Sequence, residues 1–567
     1  MTAAGRTRST SPSSAPTSVT VVRDKGLKKG IGKIGLLFTG VGSIIGSGWL
    51  FGAFDAASLV GPASILSWML GAVMIIFVAL NYAELGVMFP VAGGVVRYPH
   101  FAFGSFASFS SGWITWISAA GTVGIEVLAA VQYASSYLPW MMHSKEGVYV
   151  LTGPGILVSI LLLATFCLIN LLGAKFFSRF NNVLVWWKLI VIALVIIVLC
   201  ALAFHPGHFH QARFGGFAPN GFAPVFAALP AAGIVFSYLG FRQGVEFAAE
   251  TDNPRKNVPF AVIGSIVITG IIYVLLQVAF IGSVPDHLLT GGWDGLSFSD
   301  SAGPWAEIAI MLGAVWLGIV LYIDAVISPA DTGLIFTALA PRLSYSQARV
   351  GNAPSIFTRL NKRGIPWFGL IITFVVACLL FFPFPSWAKM VGFITSGTVI
   401  SFGSGPITVA ALRRQLPDQE RPFKLPLGDV FPFVGFLAAN LIVYWTGWDT
   451  NWKLFLAVLI GYILMFVYYR FGGRVANSVE DKWSIPPLQL KSGWWMILWI
   501  AGLTVLSLLS IYGDGSLGLL PFGWGELVVF IFSIVVFAIG IKTRLSSQEV
   551  VTNVENTRED EVESQEA

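Results

Sequence analysis

Charge is what this 567-residue chain has least of. Asp, Glu, Lys and Arg together make up 11% of it, where a soluble domain carries about 25%. Cysteine is nearly absent. Cys167, Cys200 and Cys378 all lie inside apolar runs, which excludes a disulfide framework and leaves them as small core residues. The six histidines avoid the centres of the apolar runs, which argues against a histidine proton relay at depth. Three of them crowd into His205-Pro-Gly-His-Phe-His210, without a neighbouring Cys or acidic residue. That segment reads as an incidental loop cluster, and no metal or cofactor is expected. Gly93-Gly94 follows a helix without a phosphate-loop pattern, so ATP coupling has no support. No nucleophile–base pair stands out in the apolar runs, so an enzyme is not expected. The first 30 residues hold no apolar stretch, so no cleavable leader is expected.

What is abundant is apolar surface. Hydrophobic residues make up 55% of the chain, and its mean hydropathy is +0.76. Runs of about 20 apolar residues, each able to cross a hydrocarbon core of ~30 Å, recur along it. Spans are expected near 34–60, 64–87, 104–137, 153–173, 181–204, 225–249, 261–282, 304–338, 366–384, 387–411, 430–447, 452–469, 492–511 and 523–541. The net charge of +5 does not point to nucleic acid, because the basic residues sit in short loops. They fall on alternate turns, among them Arg97, Arg255 and Lys256, Arg359 to Arg363, Arg413 and Arg414, and Lys542. That bias places both termini in the cytoplasm of a multi-pass cell (inner) membrane protein. The Ser/Thr/Pro-rich segment 1–30 and the acidic segment 546–567 read as disordered tails. Between them lie a ten-helix core, 31–425, and four additional helices, 426–545.

Two spans are interrupted where a membrane helix should be most regular. The first carries Gly42-Ser-Ile-Ile-Gly-Ser-Gly48, and the sixth carries Phe236-Ser-Tyr-Leu-Gly-Phe-Arg-Gln-Gly-Val-Glu246. In lipid every backbone polar group needs a partner, so unwound backbone survives only where it is buried or lines a cavity. Free amides at such a break suit a carboxylate, and free carbonyls suit an ammonium. An amino acid carries both groups. Breaks five spans apart also suggest an inverted repeat with the site where the breaks meet. The plainer reading is that these glycines only allow close helix packing.

These motifs resemble the amino acid–polyamine–organocation (APC) superfamily, and within it the bacterial aspartate–proton symporters. The resemblance also rests on Tyr82-Ala-Glu-Leu-Gly86 with Pro90 and Gly93-Gly94, on Asn253-Pro-Arg-Lys-Asn-Val-Pro259, on Arg342 to Arg349 and on Arg421-Pro-Phe-Lys-Leu-Pro426. It implies an all-α membrane protein with a LeuT-like five-plus-five inverted repeat, broken helices 1 and 6, and about fourteen transmembrane helices. By the same resemblance, substrate binds at Ile44, Gly46, Ser47, Gly48, Phe236, Ser237 and Leu239. The substrate carboxylate would meet the amides and hydroxyl at Ser47 and Gly48, its ammonium the carbonyls of Ile44, Phe236 and Leu239, and Phe236 would cover it.

Charges at bilayer depth cost at least ~2.5 kcal/mol each, so each needs a reason. Lys188 in span 5 matches a lysine that stands in a sodium ion's place in some proton-coupled members, which makes it the leading proton-coupling residue. Its alternative role is a permanently charged structural lysine on helix 1 and helix 8 carbonyls. Glu126 in span 3 and Asp324 in span 8 are further candidate proton carriers or partners of the cations. Arg242 departs from the acidic residue that many members of the superfamily hold at this point. Its fork suits the side-chain carboxylate of aspartate or glutamate, or an internal pair with Glu246 or Glu126. The resulting expectation is proton-coupled symport of an acidic amino acid, with substrate, protons and the bilayer as partners. An exchanger, a neutral amino acid permease and an amino-acid-binding membrane sensor are the alternatives.

Overall fold

The structure, a computed structural model, describes residues 17–19, 31–91, 93–145, 148–171, 174–298, 303–383, 386–472 and 488–555. Most of the N-terminal tail and the last, most acidic residues therefore lie outside it. Among the described residues ten helices are long and apolar enough to cross a membrane, and Gly48–Met88 among them runs on from half of span 1 into span 2. Two broken spans and the shorter helices Trp367–Leu380 and Val430–Thr446 bring the crossings to fourteen. An even number of crossings returns residue 555 to the face on which residue 31 lies, called here the terminal face.

Span 1 is Lys33–Ile44 followed by Gly48–Val60, and span 6 is Ala223–Ala231 followed by Phe236–Glu246. The second pair bends by 57°, and Gly233 at the bend has φ +70°, a backbone state that side chains disfavour. Span 3 (Ser105–Ala134) runs through the centre, with span 8 (Val315–Arg349) and span 10 (Trp387–Gln415) packed along it. Span 5 (Ala174–Leu202) closes against spans 1, 7 and 8, where span 7 is Pro254–Ser283. The breaks of spans 1 and 6, five crossings apart, lie against each other, as a five-plus-five inverted repeat requires.

Three expected boundaries are corrected. The apolar run 304–338 is not one helix: Pro304–Met311 is separate, and Gly313 with φ +82° turns the chain into span 8. Span 8 then continues to Arg349, beyond the apolar stretch, because its polar end is buried against span 3 and its neighbours. A helix at Gly94–Phe103 also lies between spans 2 and 3. Residues 547–555, expected to be disordered, are helical, with Val550 and Val554 buried. Asn553 donates from Nδ2 to the His100 carbonyl at 3.1 Å, which ties this helix to Gly94–Phe103.

Polar side chains clamp both faces. On the terminal face, Glu84 at the end of span 2 takes two bonds from Arg413 of span 10, at 2.9 and 2.6 Å, and one from the Leu425 amide at 2.8 Å. On the opposite face His208, from the histidine cluster, holds two segments together. His208 is fully buried, with Nδ1 2.9 Å from the Ile281 carbonyl and Nε2 2.8 Å from Asp286. The acidic partner that the linear segment lacked thus comes from the loop after span 7. The bond from His208 holds the Asp286 carboxyl below the usual carboxylate range, helped by the charges of His208 and Arg213. Among the described residues no cluster has the composition of a metal site.

Candidate functional site

Why the chain breaks where it does follows from glycine and from side chains that replace the missing helix bonds. A Cβ on Gly240 would overlap the Ser43 and Ile44 backbone, so only glycine lets the two breaks touch. Gly48 is similarly pressed by Ser237 Oγ. Tyr273 of span 7 donates its hydroxyl proton to the Ile44 carbonyl at 2.9 Å and lies 3.3 Å from the Ser237 carbonyl. Trp387 donates from Nε1 to Ser47 Oγ at 2.8 Å. Glu126 of span 3 accepts the Ser47 amide proton on Oε2 at 2.9 Å. A carboxylate therefore sits on an amide at the start of the second half of span 1, the position that favours negative charge.

A small cavity opens between the breaks. Ile44, Phe236, Leu239 and Arg242 line it, facing Glu126, Phe336 and three threonines, Thr122, Thr332 and Thr398. Its volume is about 10 Å³, close to one water, so an amino acid enters only when the lining moves. Gly46, Ser47, Gly48 and Ser237 lie behind this lining. Gly46 packs on Glu126 and Thr332, and Ser237 donates from Oγ to the Gly233 carbonyl at 2.8 Å. Phe236 meets Trp387 edge to face, with ring centroids 6.3 Å apart.

Arg242 is 1% exposed, and none of its three guanidinium nitrogens has a hydrogen-bond partner among the described residues. Its guanidinium carbon lies 4.7 Å from the Phe336 ring centre and 6.0 Å from that of Phe402. Glu246 acts on it through charge, not through a hydrogen bond. A buried fork with every donor unspent is costly, because each unmade bond forfeits the hydration it replaced.

Lys188 lies beside the span 1 break, outside the cavity. Its ammonium donates to the carbonyls of Gly42 and Ile45 at 3.0 and 2.8 Å, and lies 3.3 Å from Thr332 Oγ1. It forms an ion pair with Asp331 at 2.7 Å, both side chains being buried. Asp324 stands apart, taking the Ser328 hydroxyl at 3.0 and 2.9 Å.

The functional groups that sequence reasoning missed are Asp331, Tyr273, Trp387, Phe336 and the cavity threonines. Asp331 had a usable signal. It follows Asp324 by seven residues, two helical turns, which puts both on one side of span 8. The aromatic residues and threonines had none, since such residues recur throughout the chain.

Comparison with known proteins gives a family and several relatives. Residues 31–467 match the model of a family described as "Amino acid permease". The "Glutamate/serine transporter AimA" of Bacillus subtilis (strain 168) is 37% identical over 524 residues, covering 91% of this chain and 94% of that one. The "Aspartate-proton symporter" of the same organism is 34% identical over 491 residues, covering 86% and 91%. Its "Branched-chain amino acid permease BcaP" is 28% identical over 476 residues, covering 79% and 94%.

Proposed function

This chain belongs to the amino acid permease family and is a multi-pass membrane transporter, not an enzyme; from that premise we propose that it couples uptake of an acidic amino acid to entry of a proton. The observation that carries this reading is Arg242, buried in the cavity between the broken spans with all its nitrogens unpartnered. A side-chain carboxylate of aspartate or glutamate supplies two acceptors in the plane of that fork. Similarity to proteins named for glutamate, serine and aspartate–proton transport supports the same substrate class.

In this reading the substrate α-carboxylate takes the amides at Ser47 and Gly48. Its ammonium takes the carbonyls near Ile44, Phe236 and Leu239, and Phe236 closes over it. Those groups have internal partners in the closed arrangement: Glu126 on the Ser47 amide, Trp387 on the Ser47 hydroxyl and Tyr273 on the Ile44 carbonyl. Substrate therefore exchanges one set of bonds for another as spans 1, 2, 6 and 7 swing against the rest. Lys188, Glu126 and Asp324 are the ionisable groups available to carry the coupling proton. The terminal face is the cytoplasmic one, which agrees with the loop distribution of Lys and Arg.

A competition panel in proteoliposomes tests the substrate class. Unlabelled L-aspartate and L-glutamate are expected to suppress uptake of labelled L-glutamate at concentrations at least about tenfold below those of leucine or lysine, a gap of ~1.4 kcal/mol in binding. Equal inhibition by leucine would rule out a carboxylate-reading pocket.

A further inference from the structure

Asp331 is a buried carboxylate ion-paired with Lys188. Lys188 has three ammonium protons, and three strong acceptors surround it: the Gly42 carbonyl, the Ile45 carbonyl and Asp331 Oδ2, at 3.0, 2.8 and 2.7 Å. Releasing a proton would leave one of these acceptors without a donor and the Asp331 carboxylate without its counter-charge, in a site with no water-exposed surface. The pair ties span 5 to span 8, and the two carbonyls tie both to the break in span 1.

Glu126 is placed differently. Its Oε2 accepts the Ser47 amide, and its Oε1 has no hydrogen-bond partner among the described residues. The charged and titratable groups facing it come from four other spans. Lys188 and Asp331 act on it from spans 5 and 8 with opposite signs. The Tyr273 hydroxyl faces it from span 7, and Arg242 shares its cavity from span 6.

We propose that Asp331 makes Lys188 a fixed cationic strut, and that the coupling proton is carried by Glu126, which must be protonated before a substrate α-carboxylate can take the Ser47 amide. This deepens, and rests on, the proton-coupled reading above. One amide N–H cannot serve two carboxylates at 2.9 Å without forcing like charges together. A proton from the substrate's side converts the Glu126 carboxylate to the acid, which gives up the amide. When substrate leaves, the acid returns its proton and the carboxylate recaptures the amide. Binding of substrate and of proton then reinforce each other by the same factor in both directions.

The test measures binding of labelled L-aspartate and, separately, L-serine across pH 5 to 9 in detergent. It compares the native protein, Glu126→Gln and the double variant Lys188→Met/Asp331→Asn, which removes both members of the pair together. For native protein and double variant, affinity is expected to fall about tenfold for each pH unit on the alkaline side, one proton being taken up per substrate. For Glu126→Gln it is expected to stay flat. A double variant that loses the slope while Glu126→Gln keeps it overturns the assignment, as does a slope in Glu126→Gln alone. If the double variant does not fold, infrared difference spectra decide: substrate should induce a carboxylic-acid C=O band in native protein and in Asp331→Asn, but none in Glu126→Gln. A band that survives Glu126→Gln contradicts the proposal. Serine separates the two readings, since it presents an α-carboxylate without an acidic side chain. If aspartate fails to bind while serine shows the pH slope, the substrate class is wrong and the Glu126 assignment stands.

Discussion

Replacing Arg242 with alanine is expected to weaken aspartate and glutamate binding by at least about 100-fold, while serine binding changes by less than about tenfold. Removing one partner from a buried charge pair costs roughly 2–5 kcal/mol, and ~2.7 kcal/mol already corresponds to 100-fold. The selectivity is the informative part. In the closed protein the guanidinium holds no hydrogen bond and rests against Phe336 and Phe402, so cutting it back breaks no internal bond. Only a ligand bearing a second carboxylate should feel the loss. Arg242→Lys keeps the charge and loses the fork, and should fall between native and alanine. Binding measured by scintillation proximity or calorimetry gives these ratios directly. An equal loss for serine would mean that Arg242 holds the break of span 6 in shape and does not read the substrate.

The second large effect belongs to Gly240. Alanine there is expected to remove transport of every substrate, by at least about 100-fold, and to lower the thermal stability of the purified protein. The added Cβ would overlap the Ser43 and Ile44 backbone, and backbone cannot turn aside as a flexible side chain does. Moving the breaks apart would disturb the Tyr273 bonds that join them at Ile44 and Ser237. Overpacking of this kind costs typically ~1–3 kcal/mol in stability. Gly428, with nothing near its Cβ but φ +58°, is a useful contrast, since alanine there should strain one turn and spare substrate binding. Transport retained in Gly240→Ala would mean that the breaks need not touch.

The architecture was legible because membrane spans announce themselves through length and hydropathy. The fourteen crossings appear where the apolar runs lie, and the two glycine-rich interruptions are the two broken spans. The error at 304–338 came from reading hydropathy without the turn at Gly313. Hydropathy also missed the polar end of span 8 and the helix at 547–555, because both are held by burial against other segments.

The site was legible in part, and for a different reason. Unwound backbone and charges at depth are visible in a sequence, so Ser47, Glu126, Lys188 and Arg242 could be singled out. Who meets whom depends on the rotation of one helix against another, which linear spacing does not specify. Lys188 had a stated partner in helix carbonyls, yet its counter-ion Asp331 went unnoticed two turns beyond Asp324. His208 and Asp286 lie 78 positions apart, and nothing in the segment 205–210 pointed to that pair. Internal pairing of Arg242 with Glu246 or Glu126 was an open alternative, and no hydrogen bond joins Arg242 to either.

The most direct test of proton-coupled acidic amino acid uptake is accumulation of radiolabelled L-aspartate in proteoliposomes under an imposed inward proton gradient. The account predicts accumulation above the outside concentration that collapses when a protonophore dissipates the gradient. Aspartate that only equilibrates, with or without the gradient, would contradict it.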